Sequence, residues 1–141
     1  MDEGFFAETF RRFIIENHPD IFVQLGDDFG NYIKGRADTA AGNYENLVKS
    51  GVEPGFAVEE VITLMKEGLL FSKYNEIQSI IEEYFFDVVE NLSERDRTDF
   101  LIKLISICED TFNKYGISDD YSYNDSLTTE LIGTIAFFLH R

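Results

Sequence analysis

The sequence has little of what builds disulfide frameworks, metal sites and nucleophilic centres. Its 141 residues include one cysteine, two histidines, two prolines and no tryptophan. The single Cys108 can form neither an internal disulfide nor a Cys-x-x-Cys ligand pair, which is typical of a chain in a reducing compartment. His18 and His140 lie beside Pro19 and near the carboxyl terminus, where neither is placed for nucleophilic catalysis. We therefore expect no catalytic residues, no metal site and no cofactor.

Basic residues are also scarce. Twelve lysines and arginines stand against twenty-seven acids, which gives a formal net charge of −15 at pH 7. This excess repels the phosphates of nucleic acids and of anionic lipids, and no run of bases reverses it locally. We therefore expect no direct nucleic-acid binding, and we interpret the charge first as a source of solubility.

Long apolar runs are missing as well. The longest, at 131–139, contains Gly133 and Thr134 and is far shorter than the roughly 20 residues that a membrane-spanning helix needs. The first residues, Met1-Asp2-Glu3, have neither the basic nor the apolar region of a secretory signal. We therefore expect a cytoplasmic protein that has no membrane partner.

Apolar residues are nevertheless abundant enough to build a core. They make up 44% of the chain, and the 14 phenylalanines and 7 tyrosines supply large buried areas. Their positions recur at helical rather than alternating spacing, and both prolines stand at element boundaries. The sequence therefore predicts an all-α fold: a compact multihelical single domain, residues 1–141, of about six helices, with the fifth and sixth helices largely buried.

Periodicity and capping residues place these helices along the chain. We predict helices over about 3–17, 28–49, 54–70, 72–89, 93–115 and 127–139, with a short turn or helical link at 20–25. Asp27 is the predicted N-cap of the second helix, Ser72 or Asn75 that of the fourth, and Ser93 that of the fifth. Cys108 occupies a core-facing position of the fifth helix, so we interpret it as a small buried apolar residue.

The fourth helix has two contrasting faces. Its apolar positions follow the i, i+3, i+4, i+7 spacing of a core-facing stripe. They are Ile77, Ile80, Ile81, Tyr84, Phe85, Val88 and Val89. The opposite face carries Glu82, Glu83, Asp87 and Glu90, and no base occurs between residues 74 and 94. The sequence therefore predicts one buried face and one strongly acidic face.

Three stretches of the sequence resemble a known family. They are IKGRADTAA at 33–41 followed by Tyr44-Glu45, EGLLFSKY at 67–74, and TELIGTI at 129–135. In this order they resemble the signature blocks of a small all-helical family, a domain of unknown function that is common in Bacteroidetes and often encoded in conjugative-transposon regions. The resemblance spans nearly the whole chain and implies a multihelical fold and a mobile-element context, without an activity that could be carried over. At Gly42 the sequence departs from the family, which tends to carry a helix-favouring residue there.

Five polar residues of these blocks are the candidate binding residues. They are Arg36, Asp38, Lys73, Tyr74 and Glu130. Together with the missing catalytic set, they favour a non-enzymatic protein-binding or adaptor protein whose partner is another protein. The structural alternative is that Arg36 and Asp38 pair with the turn at 68–74 and cap helix ends.

The sequence is also compatible with other hypotheses. The acidic face of the fourth helix could imitate the phosphates of DNA toward a basic enzyme, which is the hypothesis of an acidic DNA-mimic or antirestriction protein. A helical bundle can also assemble an enzyme site from carboxylates that are distant in sequence, a less favoured hypothesis. A homodimer formed through a surplus apolar face is a further alternative, because periodicity does not distinguish a core face from an interface.

Overall fold

The computed structural model describes residues 3–121 and 124–140. Within these residues the protein is helical throughout and has no β-strand. The α-helices are α1 (Glu3–Asn17), α2 (Pro19–Leu25), α3 (Phe29–Lys49), α4 (Pro54–Met65), α5 (Lys73–Tyr84), α6 (Phe86–Val89), α7 (Glu94–Ile107), α8 (Glu109–Lys114) and α9 (Asp125–His140), and a 3₁₀ helix, Gly26–Asp28, precedes α3. The predicted all-α fold is confirmed. None of the described helices is both long enough and apolar enough to span a membrane.

The prediction of about six helices holds when α2, α6 and α8 are counted with the helices that they follow. Short breaks separate them, at His18, at Phe85 and at Cys108. At Phe85 the backbone leaves the helical region with φ −139° and ψ 31°. The predicted third helix also ends earlier, at Met65, ahead of a turn in which Gly68 adopts φ +84°. A left-handed residue there is a common way to end a helical segment.

Two of the predicted serine caps are present. Ser72 Oγ accepts a hydrogen bond from the Asn75 amide at 2.9 Å, and Ser93 Oγ accepts one from the Asp96 amide at 3.1 Å. The prediction that Asp27 caps α3 is wrong. Asp28 is the residue at the N-cap, and it makes no side-chain capping bond, because the 3₁₀ turn runs directly into the helix and the Phe29 amide donates to the Gly26 carbonyl.

The chain groups into two units, Met1–Leu70 and Phe71–Arg141. In the first unit, α1 and α4 both pack on α3. Phe6, Phe10 and Ile14 of α1 have no solvent exposure. They share a core with the other fully or nearly fully buried apolar residues of this unit, Phe29, Ile33, Ala37, Ala40, Val61 and Met65. That both units form one domain, as expected for 1–141, stays a prediction.

The second unit has its own core, built mainly by α5, α7 and α9. The core-facing residues of the predicted fifth and sixth helices are buried as expected, including Leu101, Leu104 and Cys108. The fourth predicted helix departs from its pattern. Tyr84 and Val88, two members of its apolar stripe, are 53% and 37% exposed. Val88 follows the break at Phe85, which turns the chain out of register with the stripe of α5, whereas Tyr84 is the last residue of α5 itself.

Candidate functional site

A groove lies between α3 and α4 in the first unit. Its volume is about 660 Å³. Its walls come from α3, from α4 and from the turn that follows α4. The lining residues are Asn31, Tyr32, Gly35, Arg36, Thr39, Ala40, Asn43, Val61, Leu64, Met65, Glu67 and Gly68. Of the five predicted binding residues, Arg36 is the one that lines this groove.

Arg36 is held in place by the protein itself. Its Nη1 donates to the Met65 carbonyl at 2.6 Å and to the Glu67 carbonyl at 3.2 Å. Its guanidinium carbon also lies 5.5 Å from the ring centroid of Phe10 and 5.7 Å from that of Tyr32. A cation at the last carbonyls of a helix satisfies acceptors that have no partner within the helix and complements the helix dipole. Arg36 therefore caps α4 and fixes one wall of the groove. The structural alternative expected a helix cap made with the turn at 68–74, but the carbonyls that Arg36 bonds belong to residues 65 and 67.

A second side chain holds the same turn. His18 is 5% exposed, and its Nε2 lies 2.7 Å from the Leu69 carbonyl. Since a carbonyl oxygen only accepts, this ring nitrogen carries the proton and donates it. No pattern of residues indicates this contact, because Leu69 is 51 residues away from His18 along the chain. The turn after α4 is thus held by both His18 and Arg36.

Asp38 lies on α3 but does not line the groove. Its carboxylate accepts a hydrogen bond from Lys34 Nζ at 2.9 Å, one helical turn earlier. Lys34 Nζ also lies 3.6 Å from a carboxylate oxygen of Glu3. The hydrogen bond from Lys34 lowers the pKa of Asp38, and the same bond raises the pKa of Lys34. Asp38 therefore belongs to an exposed ion pair along α3.

Lys73 and Tyr74 lie in the second unit, at the start of α5. Lys73 Nζ is 3.4 Å from Glu109 Oε2 and 5.5 Å from the ring centroid of Phe112. Tyr74 is 8% exposed, with its hydroxyl oxygen 3.4 Å from Thr98 Oγ1. Both side chains thus make contacts within the second unit, and Tyr74 is part of its core.

Glu130 links α9 to α8. Its Oε1 accepts from Lys114 Nζ at 2.7 Å. This hydrogen bond lowers the pKa of Glu130 and raises the pKa of Lys114. The pKa of Tyr115, next to this pair, is raised by burial and by its hydrogen bond to Glu130. The role of the five residues as ligand contacts stays a prediction, and each of them has a partner within its own unit.

The one cysteine of the chain is a free, buried thiol. Cys108 has no solvent exposure, and burial raises the pKa of its thiol to about 11. At neutral pH the thiol is therefore protonated, and the thiolate is the reactive form. Within residues 3–121 and 124–140, no group of three or more His, Cys, Asp or Glu side chains could hold a metal ion.

Fold and groove together define a small all-α protein in which polar side chains such as Arg36 and Glu130 link one helix to another. The chain belongs to the family described as a domain of unknown function, DUF1896, which matches residues 2–141. Its fold is similar to that in the crystal structure of protein PG0816 from Porphyromonas gingivalis, with a TM-score of 0.81, 24% sequence identity, and coverage of 98% of this chain and 91% of that chain. No curated protein matches the sequence. The resemblance to a helical family of unknown function is confirmed, whereas the mobile-element context stays a prediction.

Proposed function

We propose that this protein is a non-enzymatic binding module whose groove between α3 and α4 receives an α-helix of a partner protein. The observation that carries the proposal is an open groove whose α3 wall includes a glycine, Gly35. Gly35 lines the groove in the middle of α3, and a Cβ added there would meet nothing within 4 Å. The fold itself therefore does not require a glycine at this position.

Such a glycine lowers the stability of the helix, and no contact within the protein requires it. Glycine in a helix interior costs about 1 kcal/mol relative to alanine. Gly42 lies seven residues further on, which is about two helical turns and the same side of α3. It too has no atom within 4 Å of an added Cβ, and it lines a second concavity of about 420 Å³. An outward side made of glycines permits the backbone of another helix to approach closely.

The dimensions and chemistry of the groove fit a helix. Asn31 and Asn43, both lining residues on α3, are twelve residues apart, which corresponds to about 18 Å or three helical turns. On the α4 side Leu64 is 45% exposed and presents its side chain to the groove. An amphipathic helix that places residues i, i+4 and i+7 on an apolar wall binds grooves of this kind. The uncharged amides and Thr39 offer hydrogen bonds along the opposite edge.

The test is site-specific crosslinking in the native host. A photoreactive residue replaces Thr39, and the crosslinked partner is identified by mass spectrometry. We expect one reproducible partner whose crosslink is lost when Leu64→Lys is added and retained with Thr63→Lys. Thr63 is an exposed neighbour on α4 that does not line the groove. No crosslink from position 39, or one that survives Leu64→Lys in a folded protein, would overturn the proposal.

A specific observation also supports a second candidate, the acidic DNA-mimic or antirestriction protein. Glu82, Glu83, Asp87 and Glu90 are all exposed. In the described part of the chain none of them lies within 4.0 Å of a basic group in an ion pair. This candidate predicts inhibition of a restriction endonuclease that weakens as salt rises. Inhibition that is unchanged when all four acids are replaced by their amides would contradict it.

The setting we propose is the cytoplasm of a cell that carries a mobile element. The reduced, buried thiol of Cys108 suits that compartment. An enzyme built from dispersed carboxylates is the less favoured alternative, and turnover of a defined substrate would be needed to support it. Sequencing of the genes next to this one tests the mobile-element context directly.

A further inference from the structure

The chain around the break at Phe85 exposes apolar side chains, two of which, Tyr84 and Val88, the helical pattern would bury. Tyr84 is 53% exposed, Phe86 48%, Val88 37% and Leu92 37%. They lie within the eleven residues 82–92, where Val89 alone is fully buried among the apolar residues. The core of the second unit thus closes without burying these four residues fully, and each keeps 37–53% of its surface in water.

Acidic residues are interleaved with these apolar side chains. Glu82, Glu83, Asp87 and Glu90 lie in the same eleven residues and are exposed. No base occurs at 75–93. Arg97 brings a cation to the segment: it donates to the Val89 carbonyl at 3.1 Å and lies 6.0 Å from the ring centroid of Phe86. The surface formed by residues 82–92 therefore carries four carboxylates, next to the guanidinium of Arg97. We call it the acid–apolar face.

We propose that the acid–apolar face docks a basic amphipathic helix of a partner protein. An exposed apolar patch rimmed by charge marks an interaction surface. Here the charges within 82–92 are all negative and outnumber the single guanidinium of Arg97, so they select a partner whose apolar stripe is flanked by lysines or arginines. Charge also disfavours a second copy of the chain as the occupant, because each copy carries a net charge of −15. Nucleic acid is repelled for the same reason.

The break at Phe85 re-aims the part of this face that follows it. A continuous helix would keep Val88 in the buried stripe, as the sequence pattern predicts. Instead α5 ends at Tyr84 and α6 begins at Phe86. Arg97 holds the carbonyl of Val89, the last residue of α6. The short helix is therefore anchored by the buried Val89 and by a side chain of α7, while Phe86 and Val88 are exposed. This inference does not depend on the groove of the first unit.

The experiment uses the full chain and three synthetic helical peptides of about fourteen residues. The first places leucines on one face and lysines on the other, the second has the same composition in scrambled order, and the third has glutamate in place of lysine. Fluorescence polarisation measures binding at 20 mM and 200 mM salt. We expect the amphipathic basic peptide to bind at least tenfold more tightly than the scrambled peptide, and the acidic peptide not to bind.

Variants separate the two parts of the face. Tyr84→Ser combined with Val88→Ser should weaken binding of the amphipathic basic peptide about tenfold at both salt concentrations, because it removes apolar contact area. Glu82→Gln combined with Glu83→Gln should weaken binding mainly at 20 mM salt, because screening already reduces charge attraction at 200 mM. The matched control is Phe137→Ser, which alters an apolar residue of the same unit that is 73% exposed and lies outside the face.

Three outcomes would overturn the proposal. The first is equal binding of the amphipathic and scrambled peptides, which indicates charge attraction alone. The second is loss of binding only in the charge variants, the behaviour of a DNA mimic. The third is an equal effect of Phe137→Ser and of the Tyr84/Val88 variant, which indicates nonspecific apolar contact. Circular dichroism of each variant confirms that it is folded, as expected for substitutions at exposed positions.

Discussion

Replacing Arg36 by alanine should destabilise the first unit by about 2 kcal/mol. The hydrogen bond to the Met65 carbonyl, at 2.6 Å and partly buried, comes from a charged donor, a class worth about 1.5–3 kcal/mol. The bond to Glu67 is exposed and longer and contributes about 0.5 kcal/mol. The contacts with the rings of Phe10 and Tyr32, at 5.5 and 5.7 Å, add about 0.5 kcal/mol each. Water can reach the freed carbonyls, which reduces the sum to about 2 kcal/mol.

Urea unfolding followed by circular dichroism measures this loss. With a slope of about 2 kcal/mol per molar urea for a protein of this size, the midpoint should fall by about 1 M. Arg36→Lys should recover at most half of this fall in the midpoint, because an ammonium keeps the charge but cannot bond two carbonyls and stack on two rings at once. The control is Lys34→Ala on the same helix, which removes only exposed ion pairs and should leave the midpoint nearly unchanged.

The proposed stabilisation of the first unit by Arg36 is refuted if Arg36→Ala lowers the urea midpoint no further than Lys34→Ala does. It is also refuted if Arg36→Lys is as stable as the native protein, since charge alone would then account for the stabilisation. Proteolysis of the turn after α4 provides a local readout. Cleavage there should accelerate in Arg36→Ala, because that side chain holds the carbonyls of Met65 and Glu67.

Three further predictions concern other parts of the chain. Gly35→Ala should raise the free energy of unfolding by about 0.5–1 kcal/mol in urea titrations, because the added methyl group meets open space. Cys108, whose thiol pKa is about 11, should react with a thiol reagent at pH 8 about 200-fold more slowly in the native state than after unfolding, the ratio of thiolate fractions for pKa values of 11 and 8.5. Glu130→Gln should lower the urea midpoint at pH 7. Since the folded-state pKa of Glu130 is lowered by Lys114, the carboxylate stabilises the protein above its unfolded pKa, and the difference between variant and native protein should shrink as pH falls toward 3.

Much of the helical architecture can be predicted from periodicity and caps. The bounds of α1 match the prediction, and the Ser72 and Ser93 caps are present. The break at Phe85 could not be predicted, unlike the one at His18, because the apolar spacing of α5 continues through Phe85 into α6 as though one helix covered both. Competition between local backbone geometry and core packing decides such breaks, and it depends on residues far away in the sequence.

The contacts that build the candidate site could be predicted from the sequence only in small part. Arg36 could be singled out as a polar residue in a family-like block, but its partners, the carbonyls of Met65 and Glu67, are backbone groups about thirty residues away and leave no residue-type signal. His18 illustrates the same limit, since its acceptor is the Leu69 carbonyl. Side chains that bond distant carbonyls become visible only once the fold brings them together.

The glycines of α3 separate the requirements of folding from those of binding. A residue that is kept for packing inside the chain loses both stability and function when it is enlarged, because its surroundings have no room. Gly35 has room, so Gly35→Ala should strengthen the fold. If the groove receives a helix, larger side chains at this position should block that helix while the protein remains folded. Relative to the native protein, alanine, leucine or tryptophan at position 35 should therefore leave stability equal or higher, since each has a higher helix propensity than glycine, while partner crosslinking falls as the side chain grows. A glycine that merely weakened α3 would let both rise or leave crosslinking unchanged.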